Sequence, residues 1–173
     1  MNKTKKMTTT ALLVSVGVIT SHLVYIPTGF AKVFPIQHFL NVLSVALLGP
    51  YYAVVQALLT STIRNLLGTG SLLAFPGSII GAFLAGVLYM KTKKLVGAVI
   101  GEVMGTGIIG AMACYPVVRL FLGQDAALFG FIPSFLVSSI VGSILGWFLL
   151  KAFIKTNYLG GVLYENSSND RRF

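Results

Sequence analysis

Leu47-Leu48-Gly49-Pro50-Tyr51-Tyr52-Ala53 interrupts a long apolar stretch and decides the fold of this chain. Glycine is common just after a helix ends and proline in the first turn of the next, so Gly49-Pro50 can separate two helices. Alternatively, residues 39–63 form a single helix that is kinked at Pro50. The choice sets the number of helices in the chain at six or five.

The composition indicates a membrane protein. The chain has 173 residues, of which 55% are hydrophobic and only 10% charged, and its mean hydropathy is +0.87. A soluble domain usually carries about 25% charged residues. One globule of this length cannot bury so much apolar surface, which excludes most soluble enzymes and disordered proteins. Cys114 is the single cysteine, so no internal disulfide is possible.

The distribution of charge favours six spans. With six spans and a cytoplasmic N-terminus, only Lys32, Arg64 and Arg119 of the thirteen basic residues face outward. With five spans, the cluster Lys91-Thr92-Lys93-Lys94 moves to the side opposite the N-terminus, and the asymmetry weakens. The positive-inside rule therefore predicts a multi-pass cell-membrane protein with both termini in the cytoplasm. The six predicted spans are 8–26, 39–48, 51–67, 72–90, 95–122 and 128–153.

The sequence thus predicts an all-α integral membrane protein with a six-helix membrane domain over residues 1–156 and a polar cytoplasmic tail over 157–173. The second span has about ten apolar residues, or roughly 15 Å of helix, so it must be tilted, extended upstream or shielded by protein. Small residues four apart predict close packing among spans four to six. These ridges are Gly77/Gly81/Ala85, Gly97/Gly101/Gly105 and Ser138/Gly142/Gly146.

Orientation converts sequence position into depth and gathers polar residues into one outer layer. Such residues are costly in hydrocarbon, so their convergence predicts a binding cavity open to the outside. For the two arginines, anchoring in the outer headgroups is the alternative, and for His22 it is an ordinary interfacial contact. The layer contains His22, Gln37, His38, Asn41, Thr60, Arg64, Asn65, Ser71, Ser78, Tyr115 and Arg119.

Glu102 is predicted to lie at a different depth, seven residues into the fifth span from the cytoplasmic side. An intramembrane carboxylate is a functional candidate. The alternatives are a structural clamp and a protonated Glu102 bonded to Gln56 or Thr106.

Several chemistries are excluded by missing motifs. Gly68-Thr69-Gly70-Ser71 lacks the lysine of a phosphate-binding P-loop, and His22 and His38 are too few for a familiar zinc protease site. We therefore expect no ATP hydrolysis by this chain, no metal and no cofactor.

Two stretches resemble the ThiW family of substrate-capture (S) components of energy-coupling-factor (ECF) transporters. They are F-P-x-Q-H-x-x-N at residues 34–41 and R-N-x-x-G-T-G-S-x-x-A-F-P-G-S at residues 64–78. The resemblance implies an ECF S-component-like bundle that is not an enzyme and that takes up hydroxyethylthiazole, the thiazole precursor of thiamine. It also implies a lid over residues 27–37 and docking on a transmembrane coupling protein driven by two ATPases. The docking patch would be Ala11 and Ser15.

Depth and chemistry, rather than the resemblance, supply the candidate substrate contacts. Phe34, Phe75 and Tyr115 are available for stacking on an aromatic ring. Hydrogen-bonding candidates are Gln37, His38, Asn41, Arg64 and Asn65, with Glu102 as a further candidate. Three alternatives stay open: an S component for another vitamin precursor such as the thiamine pyrimidine, a small intramembrane enzyme using Glu102 or His38, and a self-sufficient carrier or channel.

Overall fold

The computed structural model describes residues 1–21, 26–27, 32–123, 125 and 127–156. The expectations for His22, for the tail 157–173 and for residues 28–31 of the lid 27–37 concern residues outside these ranges.

Helices account for nearly all of the described chain. The short strands β1 (Ile26–Pro27) and β2 (Lys32–Val33) pair antiparallel. A π-helix (Gly105–Gly110) joins two helices into one continuous rod, Leu95–Phe121. The α-helices are α1 (Lys3–Thr20), α2 (Pro35–Leu48), α3 (Pro50–Leu66), α4 (Ala74–Thr92), α5 (Leu95–Met104), α6 (Ala111–Phe121) and α7 (Ile132–Lys155).

Gly49 separates α2 from α3, as the six-helix interpretation predicts. Its φ of +89° is a left-handed conformation that glycine adopts without a steric penalty. Gln37 in the first turn of α2 bonds Ser61 near the end of α3, at 2.9 Å, so the two helices run antiparallel. The short second helix is extended upstream, because α2 begins at Pro35.

The other contacts show that consecutive rods alternate in direction. Along the α5–α6 rod, Gly101 packs against Ala85 while Gly110 packs against Gly77, so this rod is antiparallel to α4. In α1, Lys6 lies 5.7 Å from the centre of the Tyr52 ring. Further along, Gly17 packs against Thr60, so α1 and α3 are parallel.

This alternation brings eight lysines to one end of the bundle, which we call the basic end. It consists of the start of α1, the connection from α4 to α5, and the end of α7. Arg64 and Arg119 lie at the ends of α3 and α6, toward the opposite end. The lysines are Lys3, Lys5, Lys6, Lys91, Lys93, Lys94, Lys151 and Lys155.

The distribution of apolar and charged side chains differs from that of a soluble protein. Large apolar side chains such as Phe83, Ile100 and Phe148 are more than half exposed, whereas Arg64 and Glu102 are buried. This arrangement suits a chain whose outer surface faces lipid. Of the described helices, Ala74–Thr92, Leu95–Phe121 and Ile132–Lys155 are long and apolar enough to cross a membrane, and Pro35–Leu48 is a shorter apolar helix. The all-helical membrane-protein class is confirmed.

The small-residue ridges pack closely, but not all in the predicted pairs. A Cβ on Gly101 would lie 2.5 Å from the Cα of Ala85, so the ridges of α4 and α5 do meet. The α7 ridge instead faces α2, where a Cβ on Gly142 would lie 2.9 Å from the Cβ of His38. The spacing of small residues identifies the ridge but not the helix that packs on it, since any neighbouring helix can approach a small-residue ridge closely.

Candidate functional site

Arg64 is buried inside the helix bundle, with only 1% of its surface exposed. Its Nη1 donates to Oε1 of Gln37, and its Nη2 donates to the carbonyl of Thr69 at 3.3 Å. The guanidinium carbon lies 4.1 Å from the centre of the Phe34 ring, a cation–π distance. A headgroup anchor would reach out of the protein, so this placement favours the cavity interpretation of Arg64.

From Arg64, hydrogen bonds continue across three helices. The Gln37 Nε2 donates to the Ser61 hydroxyl at 2.9 Å, and Ser61 lies 2.9 Å from the Ser78 hydroxyl. Ser78 also donates to the carbonyl of Ala74 at 2.8 Å. The chain links α2, α3 and α4 through buried polar groups.

Glu102 is the second centre of the site. Its Oε1 accepts hydrogen bonds from Asn41 Nδ2 at 2.9 Å and Thr106 Oγ1 at 3.0 Å. The Nδ1 of His38 lies 2.8 Å from the same oxygen. Asn41 Nδ2 also contacts the carbonyl of Ser78 at 3.2 Å, which joins this centre to the chain from Arg64. We call the whole assembly the polar network.

The expectation for Glu102 is therefore half right. Its bond to Thr106 is confirmed, but a bond to Gln56 is wrong, because Gln56 donates to Thr60 at 3.0 Å instead. Thr60 in turn packs against Gly17 of α1. Nor does Glu102 belong to a separate layer, since it contacts the predicted outer-layer residues His38 and Asn41 directly.

Local sequence explains how these side chains converge. His38 and Asn41 are three residues apart and Glu102 and Thr106 four apart, so each pair shares one helix face. The π-helix begins one turn after Glu102, and such segments are frequent at functional sites. Gly81 makes room, because a Cβ there would lie 2.9 Å from each carboxylate oxygen of Glu102.

Buried polar atoms without a partner suggest that the network is incomplete by itself. Within the described residues, Glu102 Oε2, Asn41 Oδ1 and Arg64 Nε are buried and make no hydrogen bond. Such atoms are rare in native structures because each forfeits its hydration. They mark the positions at which the network lacks a hydrogen-bond partner.

The structure does not bring all the predicted contacts together. Phe75 and Tyr115 are half-buried, and the contacts of the described residues do not join them to the network. Tyr115 lies beside Arg119 at 5.8 Å, and the half-exposed Arg119 also reaches Asp125 at 3.5 Å. Asn65 donates to the carbonyls of Ser61 and Ser71, at 2.8 and 3.0 Å, so it holds the α3–α4 turn.

Sequence reasoning missed Ser61 as the link between Gln37 and Ser78, and it missed the contact of His38 with Glu102. A usable signal was present. Gln37, His38 and Asn41 put three polar groups into the first two turns of an apolar helix, and a buried carboxylate needs such donors.

Ala11 and Ser15 lie on the exposed side of α1. The Ser15 hydroxyl donates to the carbonyl of Ala11 at 3.0 Å, which satisfies it within the helix. Leu12 and Val16 beside them are exposed by 63% and 38%. The patch is therefore a small-residue surface between apolar side chains.

The geometry of the described residues also bears on metal binding and on cysteine chemistry. Among the described residues, no three His, Cys, Asp or Glu side chains come close enough to hold a metal ion. Cys114 is buried, and its thiol points to the carbonyl of Leu73 at 3.5 Å rather than to a base. The network can instead offer hydrogen-bond donors and acceptors to a bound molecule.

Comparison with protein families gives a match over most of the chain. The model of the thiamine-precursor transporter protein (ThiW) family matches residues 7–156. A comparison with curated proteins found no match, and neither did one with solved structures.

Proposed function

The chain belongs to the ThiW family of thiamine-precursor transporters, and from this premise we propose that it is the S component of an ECF transporter that captures hydroxyethylthiazole. The family is one of transporters rather than enzymes, as the sequence predicts. The membrane location and the thiamine-precursor class follow from membership and from the apolar helices. The ECF role and the thiazole substrate are our proposal.

The observation that carries the proposal is the polar network inside an apolar-surfaced bundle. Hydroxyethylthiazole is a small, neutral aromatic molecule with one hydroxyl and one ring nitrogen. Arg64 Nε is a buried donor without a partner within the described residues, and the His38 imidazole, 2.8 Å from Glu102, offers a second polar contact. Phe34, stacked on Arg64, offers a ring face. A neutral aromatic ligand with one or two polar atoms suits this set.

We assign the substrate site to the network residues Phe34, Gln37, His38, Asn41, Arg64 and Glu102. Asn65 supports the adjoining turn, and Phe75 and Tyr115 belong to the site as aromatic contacts at its margin. Segment 27–37 is the proposed lid, because it lies between α1 and the body of α2 and contains Phe34.

Six spans with both termini in the cytoplasm complete the proposal. The alternating rods support it, because each crossing reverses direction. The lysines at the basic end support the orientation, since cytoplasmic ends of spans carry an excess of Lys and Arg. The polar network then opens toward the outside, where a capture protein meets its substrate. The tail 157–173 follows the basic end of α7 into the cytoplasm.

The exposed patch of Ala11 and Ser15 is the proposed contact with the transmembrane coupling protein. Small side chains let a second helix approach closely in lipid. The two ATPases of the ECF module would supply the energy, because this chain carries no P-loop.

Two measurements on the purified chain test this function. Hydroxyethylthiazole should bind in detergent, and the thiamine pyrimidine should bind at least tenfold more weakly; the reverse preference would transfer the proposal to the pyrimidine. A tagged chain from native membrane should co-purify with one membrane protein and two ATPases. Uptake into vesicles containing the chain alone would contradict the S-component role.

A further inference from the structure

We propose that Glu102 is a positioning residue that fixes the imidazole of His38 so that Nε2 accepts a hydrogen bond from the hydroxyl of the substrate. The inference rests on the proposed function and deepens it by naming the atom that recognises the hydroxyl. It also defines the ligand class, namely small aromatic molecules that bring a hydrogen-bond donor to this position.

The position of the ring proton follows from the contacts of Glu102. Oε1 already receives hydrogen bonds from Asn41 and Thr106, and His38 Nδ1 lies 2.8 Å from it. An ionised carboxylate only accepts hydrogen bonds, so the imidazole must hold its proton on Nδ1. A neutral imidazole with a proton on Nδ1 has its lone pair on Nε2.

Charge balance indicates that the imidazole is neutral. Among the described residues, Arg64 and Glu102 are the buried groups that carry a charge by default, one of each sign. A protonated His38 would add a third, uncompensated charge to the same network, which is costly in an apolar bundle. The neutral ring leaves the network with no net charge.

The remaining nitrogen is free and within reach. None of the hydrogen bonds of the described residues uses His38 Nε2, and the His38 side chain keeps 10% of its surface accessible. Glu102, in contrast, is fully buried. The accessible partner for a ligand is therefore the imidazole, while the carboxylate orients it from behind. Gly142 of α7 lets α2 pack closely at this point, because a Cβ there would lie 2.9 Å from the His38 Cβ.

The test measures ligand preference rather than affinity alone. Three probes are titrated into the purified chain: hydroxyethylthiazole, its methyl ether, and the analogue with ethyl in place of hydroxyethyl. The ether keeps the oxygen but loses the donor and adds a methyl group. The ethyl compound loses the donor without adding bulk, so it separates loss of the donor from a steric effect of the methyl group. We expect the wild type to bind the alcohol about tenfold more tightly than either analogue, the effect of one hydrogen bond in a desolvated site.

Two variants assign that preference to named atoms. His38→Asn keeps a donor near the Nδ1 position but removes Nε2, so the tenfold preference for the alcohol should fall to within twofold. Glu102→Gln retains an acceptor for the ring N–H, and the preference should persist. Thr62→Ala is the control, because Thr62 bonds only within α3, to Leu58 at 2.9 Å.

The failures are distinguishable. A wild type that does not bind hydroxyethylthiazole overturns the proposed function. A wild type that binds it, but binds the ether equally well, overturns this inference without needing any variant, since the substrate hydroxyl would then not be donating a hydrogen bond. Retention of the alcohol preference by folded His38→Asn also overturns it.

Discussion

Helices α1 and α2 follow each other in the chain but face opposite environments. In α2, Gln37, His38 and Asn41 are buried and hydrogen-bonded to other helices. In α1, Ser15 is exposed, and among the described residues its hydroxyl bonds within its own helix. Helix α2 contributes polar groups to the interior, and α1 contributes an exposed small-residue surface between apolar side chains. Substrate binding and partner docking can therefore be perturbed separately.

The largest expected effect comes from a bulky residue on α1. Ser15→Trp should abolish uptake in cells that contain the complete transporter, because the indole would hold a docking helix away. Binding of hydroxyethylthiazole by the purified variant should equal that of the wild type. Uptake of radiolabelled substrate and a binding titration measure the two properties.

Ile100→Trp is the matched control for steric bulk, since Ile100 is 51% exposed on α5. It should transport normally. Normal uptake by Ser15→Trp, or loss of binding together with uptake, would contradict the assignment of docking to α1 and of substrate binding to α2.

On the interior side, the largest effect is expected at Arg64. Arg64→Lys should weaken substrate binding roughly ten- to a hundredfold, because a lysine cannot donate to Gln37 and Thr69 together or stack on Phe34. Loss of a charged hydrogen bond costs about 1.5–3 kcal/mol. The measurement is a ligand titration in detergent, after the fold has been checked by thermal unfolding.

Arg119→Lys sharpens this result, because Arg119 also ends a rod near an aromatic ring but is half exposed. A lysine should replace it with less than twofold change in affinity, since only the charge at the interface matters. Equal effects of the two substitutions would mean that Arg64 is an anchor like Arg119.

Sequence predicted the elements better than their partners. Gly49-Pro50 and the basic clusters predicted the break between α2 and α3 and the turn between α4 and α5, because helix ends and charges are local properties. Arg64 was correctly grouped with Gln37, since motif and depth agreed. The contact of His38 with Glu102 was missed, because counting depth assumes equal, straight spans. Helix α2 has only 14 residues, and the fifth rod contains a π-helix, so neither helix meets that assumption.

A third prediction concerns the room that α4 leaves for the network. Gly81→Ala should lower the melting temperature by roughly 5 °C, because overpacking a buried site costs about 1–3 kcal/mol. The new Cβ would overlap Thr106 Oγ1 and lie 2.9 Å from the Glu102 carboxylate. Differential scanning fluorimetry in detergent measures the shift.

Gly146→Ala is its control on the α7 ridge. There the nearest atom to an added Cβ is the carbonyl oxygen of Phe39, at 3.2 Å, and the next is 3.4 Å away. Alanine also favours a helix by up to about 1 kcal/mol over glycine, which offsets the tighter contact. Its melting temperature should change by less than about 2 °C. If Gly81→Ala is equally harmless, the network is less tightly enclosed than its contacts imply.

The smallest effect is expected at Asn65, which lies next to Arg64 in sequence but acts on the backbone. The turn after α3 wraps around Arg64, since the N–H groups of Thr69 and Gly70 donate to the Arg64 carbonyl at 2.9 and 3.0 Å. Asn65 holds this turn through its bonds to Ser61 and Ser71. Asn65→Ala should therefore loosen the Thr69 carbonyl that receives Arg64 Nη2 and weaken substrate binding about threefold, within the range for a neutral hydrogen bond.

The double variant decides whether Asn65 acts through Arg64 or touches the substrate itself. If Asn65 only positions the turn, adding Asn65→Ala to Arg64→Lys should cost almost nothing further in affinity, because the bond that it supports is already lost. If Asn65 contacts the ligand, the two losses should multiply, as they do for independent sites. Wild-type affinity in both single variants would remove both residues from the site. The remaining polar candidates would then be Gln37, His38 and Asn41 on the interior face of α2. Substrate binding would be assigned to α2 without a contribution from α3.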